Sequence, residues 1–291
     1  MPQHPQFLKG YAAGSFEDAK VAILPVPYGD TVTYGRGTEK APAAIIEASQ
    51  HMELYDEQLD SRPCECGVWT DAMLPISEGA PPERVLDDIS ARFGRLLDDG
   101  KWVVMLGGSH SITPGGVRAA AARFEGLHIF QLDAHADLRE SYDGDPNSHA
   151  CAMARCMPYA PIRAVGIRSY SGAERDRIRQ GIPGYGMLHA WEMRDDGWIE
   201  RALEDLDGKP VYLTFDVDYF DPSLIPTTGT PEPGGGEWWP TLELLEALFD
   251  RARIVACDVV ELAPRPGLHH ADFTVARLVY KLIGYAFGGA A

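Results

Sequence analysis

The stretch HIFQLDAHAD, residues 128–137, decides the fold. It begins as a short apolar run and ends on Asp133, His135 and Asp137 at alternate positions. A β-strand sends alternate side chains to opposite faces, so a period of two at a strand end puts such groups on one side. Crowded carboxylates and an imidazole are poor core material. Their place straight after a strand points to chemistry rather than packing.

The same design recurs outward from this stretch. WVVML (102–106) leads into GGSHS, VYLTF (211–215) into DVDYFDP, and IVACDVV (254–260) into Glu261. VAILPVPY (21–28) and IRAVGI (162–167) read as further strands. Helical periodicity marks KAPAAIIEAS (40–49), with Pro42 near its start, and PPERVLDDISARFGRLL (81–97). It also marks TLELLEALFDRA (241–252) and DFTVARLVYKLIGYAF (272–287). Strands alternating with helices predict an α/β fold around a parallel sheet. In such a sheet the carboxyl ends of the strands line the ligand crevice. Four segments therefore deliver His, Asp and Glu to one edge.

Bulk properties narrow the functional class. The chain has 291 residues, 45% hydrophobic and 24% charged, ordinary for a globular protein. Its net charge of −17 disfavours nucleic acid and anionic membranes as partners and suits a cationic ligand. No run reaches the length of a membrane span. The first twenty residues lack a basic segment followed by a long apolar one, so no signal peptide is expected. Five cysteines without a secretory signal predict reduced thiols and a cytoplasmic protein. Cys64 and Cys66 form a CxC pair, which is read as plain thiols rather than a redox or metal pair.

Carboxylate oxygens and imidazole nitrogens suit an ion such as Mn²⁺. Asp133, Asp137, Asp216 and Asp218 carry four negative charges, which two divalent ions balance. Two ions about 3.5–4 Å apart can deprotonate a shared water at neutral pH, which points to hydrolysis.

The blocks GGSHSIT, DAHADLR, SHACAMAR, TFDVDYFDPSLIPTTGTPEPGG and DVVELAP, with GRGTEKAPAAI near the N-terminus, resemble the ordered signature of the arginase/agmatinase (ureohydrolase) family. They run from residue 35 to residue 264 and are most similar to prokaryotic agmatinases. The resemblance implies a three-layer α-β-α, arginase-like fold with a mainly parallel central sheet, spanning residues 1–291 as one domain. It implies one Mn²⁺ on His110, Asp133, Asp137 and Asp216, and a second on His135, Asp133, Asp216 and Asp218, with Ni²⁺ as the other metal to consider. Asp221 would fix the metal-binding loop. Glu261 would grip the substrate guanidinium, and His149 would shuttle protons. A trimer or hexamer of identical chains is implied.

The implied reaction is attack of a metal-bridging hydroxide on a guanidinium carbon, giving urea and an amine. Asp218 would pass the proton first, and His149 afterwards. Agmatine, giving putrescine, is the expected substrate. Arg139 stands where arginases favour a small polar residue, which argues against arginine. An arginine at the rim could instead pair with the carboxylate of 4-guanidinobutyrate or 3-guanidinopropionate. Free guanidine is a further alternative, and a noncatalytic metal-stabilised protein or a dinuclear phosphoesterase are the alternatives of other classes. Ser109 departs from the family, which often has an acid before the ligand histidine, and leaves the metal's identity open. His269 and His270 are read as helix-start residues. Trp238 and Trp239 are read as core or interface. Gly107 and Gly108 are expected to let the chain turn into His110.

Overall fold

The computed structural model describes residues 4–8, 15–29, 34–77 and 79–288. The N-terminal stretch read above for a signal peptide lies partly outside them. Among these residues, eight parallel strands form one sheet. In chain order they are β1 (Val21–Val26), β2 (Val68–Thr70), β3 (Trp102–Gly107), β4 (His128–Leu132), β5 (Ile162–Ile167), β6 (Tyr185–His189), β7 (Pro210–Asp216) and β8 (Arg253–Val260). Their spatial order is β2-β1-β3-β8-β7-β4-β5-β6.

Eight α-helices cover the two faces. They are α1 (Ala41–Ser49), α2 (Pro82–Asp98), α3 (Thr113–Ala121), α4 (Ala152–Cys156), α5 (Gly172–Gln180), α6 (Trp198–Ala202), α7 (Trp238–Arg251) and α8 (His269–Phe287). One core gathers α1, α6, α7 and α8, and the other gathers α2, α3, α4 and α5. The strand pleat assigns residues between them. In β3, Trp102, Val104 and Leu106 face the first core, while Val103 and Met105 face the second. A strand buried on both faces reads as a continuous apolar run, which is why β1, β3, β7 and β8 were legible. Each buried Val or Leu side chain contributes about 1.5–3 kcal/mol. The expected three-layer α-β-α architecture with a parallel sheet is present.

Two strands and four helices had no clear signal. The edge strand β2 has three residues, and the opposite edge strand β6, YGMLH, is half-buried and carries a glycine. Helix α3, TPGGVRAAA, opens on Pro and two glycines, which mute its periodicity. Helices α4 and α6 have five residues each, and α5, GAERDRIRQ, is almost wholly polar.

The four central neighbours β3, β8, β7 and β4 are the strands whose carboxyl ends carry the reactive residues. Their register is continuous across β3–β8 and β4–β7, with one shift in the β7–β8 pair near Tyr212. Gly107 and Gly108 are not among the glycines with positive φ. Gly108 is required for space: a Cβ there would collide with the Tyr28 carbonyl.

Trp238 opens α7 and stacks on Phe220 at 6.2 Å, whereas Trp239 is 57% exposed. His269 and His270 form the first turn of α8, as expected. No helix among the described residues is long and apolar enough to cross a membrane.

Candidate metal and substrate site

The site is assembled at the carboxyl edge of the central strands. His110 follows β3 and opens a one-turn 3-10 helix. Asp133 follows β4 directly. Asp216 ends β7 and caps the 3-10 turn Val217–Tyr219, so Asp218 emerges two residues later. Glu261 follows β8 with φ 66, and Asp137 has φ 52. Both lie in the left-handed region, a strained setting for a residue with a Cβ that clusters at functional sites.

His110, Asp133, Asp137 and Asp216 converge. His110 Nδ1 lies 3.0 Å from Asp137, 3.1 Å from Asp133 and 3.4 Å from Asp216. None of the three oxygens sits where an N–H bond would form, so this buried nitrogen has no hydrogen-bond partner. The opposite ring nitrogen, Nε2, is 2.9 Å from Thr214 Oγ1. Thr214 donates its own proton to Asp258 at 2.7 Å, so its oxygen is left to accept from Nε2–H. That commits Nε2 to Thr214 and leaves Nδ1 as the ring atom turned toward the carboxylates, where a cation could replace its proton.

The second cluster shares Asp133. His135 Nδ1 is 2.8 Å from Asp218 and 3.7 Å from Asp133. Each carboxylate is also aimed by neighbouring donors. Asp133 accepts from the His135 amide at 2.6 Å and from Gln131 Nε2 at 2.9 Å. Asp218 accepts from the Ala134 amide at 3.0 Å, and Asp216 accepts from the Asp218 amide at 2.9 Å. His110 with Asp133 and Asp216, and His135 with Asp133 and Asp218, each have ligand atoms close enough to share one ion.

Electrostatics agree with a cation site. Burial, then the neighbouring Asp218 carboxylate, pushes Asp133 and Asp216 above the ordinary aspartate range. Burial opposes charge on His110, but Asp133, Asp137 and Asp216 outweigh it and hold the ring well above its ordinary value. Burial likewise raises Asp218, yet His135 overrides it and brings the net shift downward. Collecting four carboxylates in a dry crevice is costly, and divalent cations offset that cost. The orphan Nδ1 and the all-oxygen-and-imidazole donor set fit such ions.

Glu261 is buried beside the clusters. Its Oε1 accepts from the His110 amide at 2.7 Å, and its own amide donates to the Gly108 carbonyl at 2.8 Å. Glu261 and His149 line the same inner cavity as His110, His135, Asp216 and Asp218. Burial raises the Glu261 carboxyl, while His149 lowers it. Asp221 stays outside and ties its loop, accepting from the Ser223 and Gly234 amides at 2.9 and 2.8 Å.

An outer cavity of about 280 Å³ continues from the inner one, sharing His135, Asp137, His149 and Thr230. Arg139 lies on its wall, as expected of a rim residue. Its guanidinium is nevertheless engaged, stacked 4.8 Å over Tyr142 and 3.7 Å from the buried Glu174. Tyr142, Glu174 and Glu232 in this wall were not singled out from sequence. Gln131, Thr214 and Asp258 were missed as well, although each is a polar residue inside an apolar strand. That anomaly was a usable signal.

Cys64, Cys66, Ser109 and His189 line neither cavity, although Ser109 caps the turn of His110 and His189 bonds the cavity-lining Tyr170. Cys64 and Cys66 are free thiols, and burial pushes Cys66 up to about 11. Ser109 is buried, and its hydroxyl accepts from Ser111 Oγ at 3.1 Å. His189 bridges Tyr170 and Glu192.

Comparison with known proteins agrees with this geometry. The model of the arginase family matches residues 19–284. The N(1)-aminopropylagmatine ureohydrolase of Synechocystis sp. is 38% identical over 96% of this chain and 93% of its own length. The agmatinase of Bacillus anthracis is 34% identical over 89% of this chain and 88% of its own. The agmatine ureohydrolase structure from Thermoplasma volcanium superposes with a TM-score of 0.87 at 29% identity, covering 99% of this chain and 96% of that one.

Proposed function

The chain belongs to the arginase family, the ureohydrolases that act on guanidino C–N bonds, and on that premise we propose that it cleaves the guanidinium group of N(1)-aminopropylagmatine. The products are urea and the free amine, spermidine. The observation that carries the reading is the pair of imidazole Nδ1 atoms turned onto aspartate clusters that share Asp133, with Glu261 buried alongside. The relatives' names favour the aminopropyl substrate over agmatine, the expectation from sequence. Agmatine, giving putrescine, is the second reading, favoured by the 34% identical agmatinase.

In this proposal His110, Asp133, Asp137 and Asp216 hold one divalent ion, and His135, Asp133, Asp216 and Asp218 hold the other, with Mn²⁺ as first choice and Ni²⁺ as second. When bound, the ions supply Lewis acidity and an activated water at neutral pH. Glu261 uses the oxygen not bonded to His110 to receive the guanidinium, orienting its carbon. Water adds to that carbon, the bond to the alkyl nitrogen breaks, and that nitrogen takes a proton. Asp218, held against the Ala134 amide, carries the proton over the first short step. His149, whose Nδ1 lies 3.3 Å from Ser148 Oγ and which lines both cavities, would carry the proton afterwards. A cytoplasmic homo-oligomer, a trimer or a hexamer, is part of the same proposal.

The test is urea release by Mn²⁺-loaded protein from N(1)-aminopropylagmatine, agmatine, arginine, 4-guanidinobutyrate, 3-guanidinopropionate and guanidine. Urea from the guanidino-amines, abolished by Asp216→Ala, supports the reading. No urea from any of them with either metal bound would sink it.

A further inference from the structure

The inner residues act only on the guanidinium end of the substrate, and what selects the far end is a separate matter. That end has to occupy the outer cavity, because the inner one is closed by the metal-binding cluster and Glu261.

The charges of this cavity do not cancel. Arg139 is the cation on its wall, and Glu174 sits against it. Glu174 is otherwise fully occupied. One oxygen accepts from the Leu138 amide at 3.0 Å, and the other accepts from the amide and hydroxyl of Ser171, both at 2.7 Å. Arg139 and Glu174 therefore form a closed pair that offers little to a ligand. Glu232 is different. Its carboxylate accepts from Ser169 Oγ at 3.0 Å, and although the Arg168 guanidinium acts on it electrostatically, the hydrogen bonds of that guanidinium go to main-chain oxygens and leave the carboxylate open to the cavity.

Glu232 is also held in place. Arg168 donates to its main-chain carbonyl at 2.7 Å through Nη2, and the same nitrogen donates to the Asp218 carbonyl at 2.8 Å. Other Arg168 nitrogens bind the Gly166 and Pro233 carbonyls. One guanidinium, committed to main-chain oxygens, thus fixes the loop of Glu232 to the loop of Asp218. The spacing between the reacting end and the outer carboxylate is built into the fold.

From these observations, and resting on the reading of the reaction given above, we infer that the outer cavity is the subsite for the ammonium-bearing tail of the substrate, with Glu232 as its counter-charge. The ligand class is an alkyl chain ending in one or more primary or secondary ammonium groups. Tyr142 and Tyr170 add aromatic walls beside the chain. A tail ending in carboxylate meets Glu232 with like charge and finds Arg139 already taken.

The experiment compares wild type, Glu232→Gln and Glu232→Lys, all Mn²⁺-loaded and checked for folding by thermal melting. The substrates are N(1)-aminopropylagmatine, agmatine, n-butylguanidine and 4-guanidinobutyrate. The uncharged tail of n-butylguanidine separates loss of tail recognition from general damage. Glu232→Gln should raise KM about ten-fold for the two amines, leave kcat within about two-fold, and leave n-butylguanidine unchanged. Glu232→Lys should improve kcat/KM for 4-guanidinobutyrate relative to agmatine. An unchanged KM for the amines, or an equal rise for n-butylguanidine, would overturn the subsite. Calorimetric binding of spermidine is measured in parallel. If wild type releases no urea from any guanidine, the reaction reading fails alone, and the subsite then stands or falls on whether Glu232→Gln weakens spermidine binding about ten-fold.

Discussion

Thr214 Oγ1 donates to Asp258 at 2.7 Å while standing 2.9 Å from His110 Nε2. Asp258 is itself fully buried and gathers two more hydroxyls, from Tyr212 at 2.8 Å and Thr113 at 2.9 Å. Burial pushes its carboxyl upward, and the hydroxyl bonds oppose that rise. The relay runs from the middle of the sheet to the back of a histidine whose front faces three carboxylates. Asp258, which lines neither cavity, thereby helps set which ring nitrogen of His110 faces the carboxylates.

Thr214→Val keeps the volume and removes the relay. Metal retention should fall about 10–100-fold, as is usual when a ligand's supporting hydrogen bond is lost. The measurement is metal content after dialysis against graded chelator, with a thermal melt as control for folding. Retention equal to wild type would show that His110 is oriented by packing alone.

Arg139→Met probes the alternative in which this arginine recruits a guanidino acid. Because Arg139 already faces Glu174 and stacks on Tyr142, the change should not lower kcat/KM for 4-guanidinobutyrate relative to agmatine. Stability should drop by about 1 kcal/mol, the upper end for a partly exposed pair. A selective loss on the guanidino acid would restore the carboxylate-binding role.

The central strands were legible because both their faces are buried, which leaves no polar alternation to confuse them. The clustered His and Asp residues were legible for the opposite reason, since carboxylates and imidazoles at strand ends contradict burial. Arg139 shows where such reading stops. Its position at the rim could be anticipated, but its pairing could not, because Glu174 lies on α5 and reaches it only through the fold. Glu232 was hidden within a Gly- and Pro-rich run, where its contact with Ser169 depends on how Arg168 gathers the loop. Helix α5 escaped notice because its capping residue Ser171 precedes a polar sequence with no apolar stripe.

Asp221 predicts a pH dependence. Ser223, through its side chain and amide, and the Gly234 amide hold the carboxyl down at about 2. A folded-state value below the unfolded one of about 3.9 means that the ionised form stabilises the fold. That contribution is complete above about pH 3.9 and is lost as pH falls through about 2. The gap in thermal midpoint between wild type and Asp221→Asn should therefore be widest above pH 4 and close in stronger acid. Melts of metal-free protein across that range, which separate this effect from acid release of metal, provide the check. A gap that widens toward low pH would contradict the assignment.

Lys281 and Asp56 anchor the longest helix to the loop after α1. The ammonium on α8 is 3% exposed and lies 2.7 Å from Asp56, with Gln58 Oε1 accepting a second bond at 2.9 Å. Asp56 Oδ1 also receives the Gln58 and Leu59 amides, while Oδ2 is buried without a partner. Removing the lysine would strand a carboxylate that has no access to water. Lys281→Met should cost about 3–5 kcal/mol in a denaturant titration, whereas Asp56→Asn with Lys281→Met should recover much of that loss. If the single and double variants were equally unstable, the cost would lie in the packing of the lysine stem, and the ion pair would carry no weight of its own.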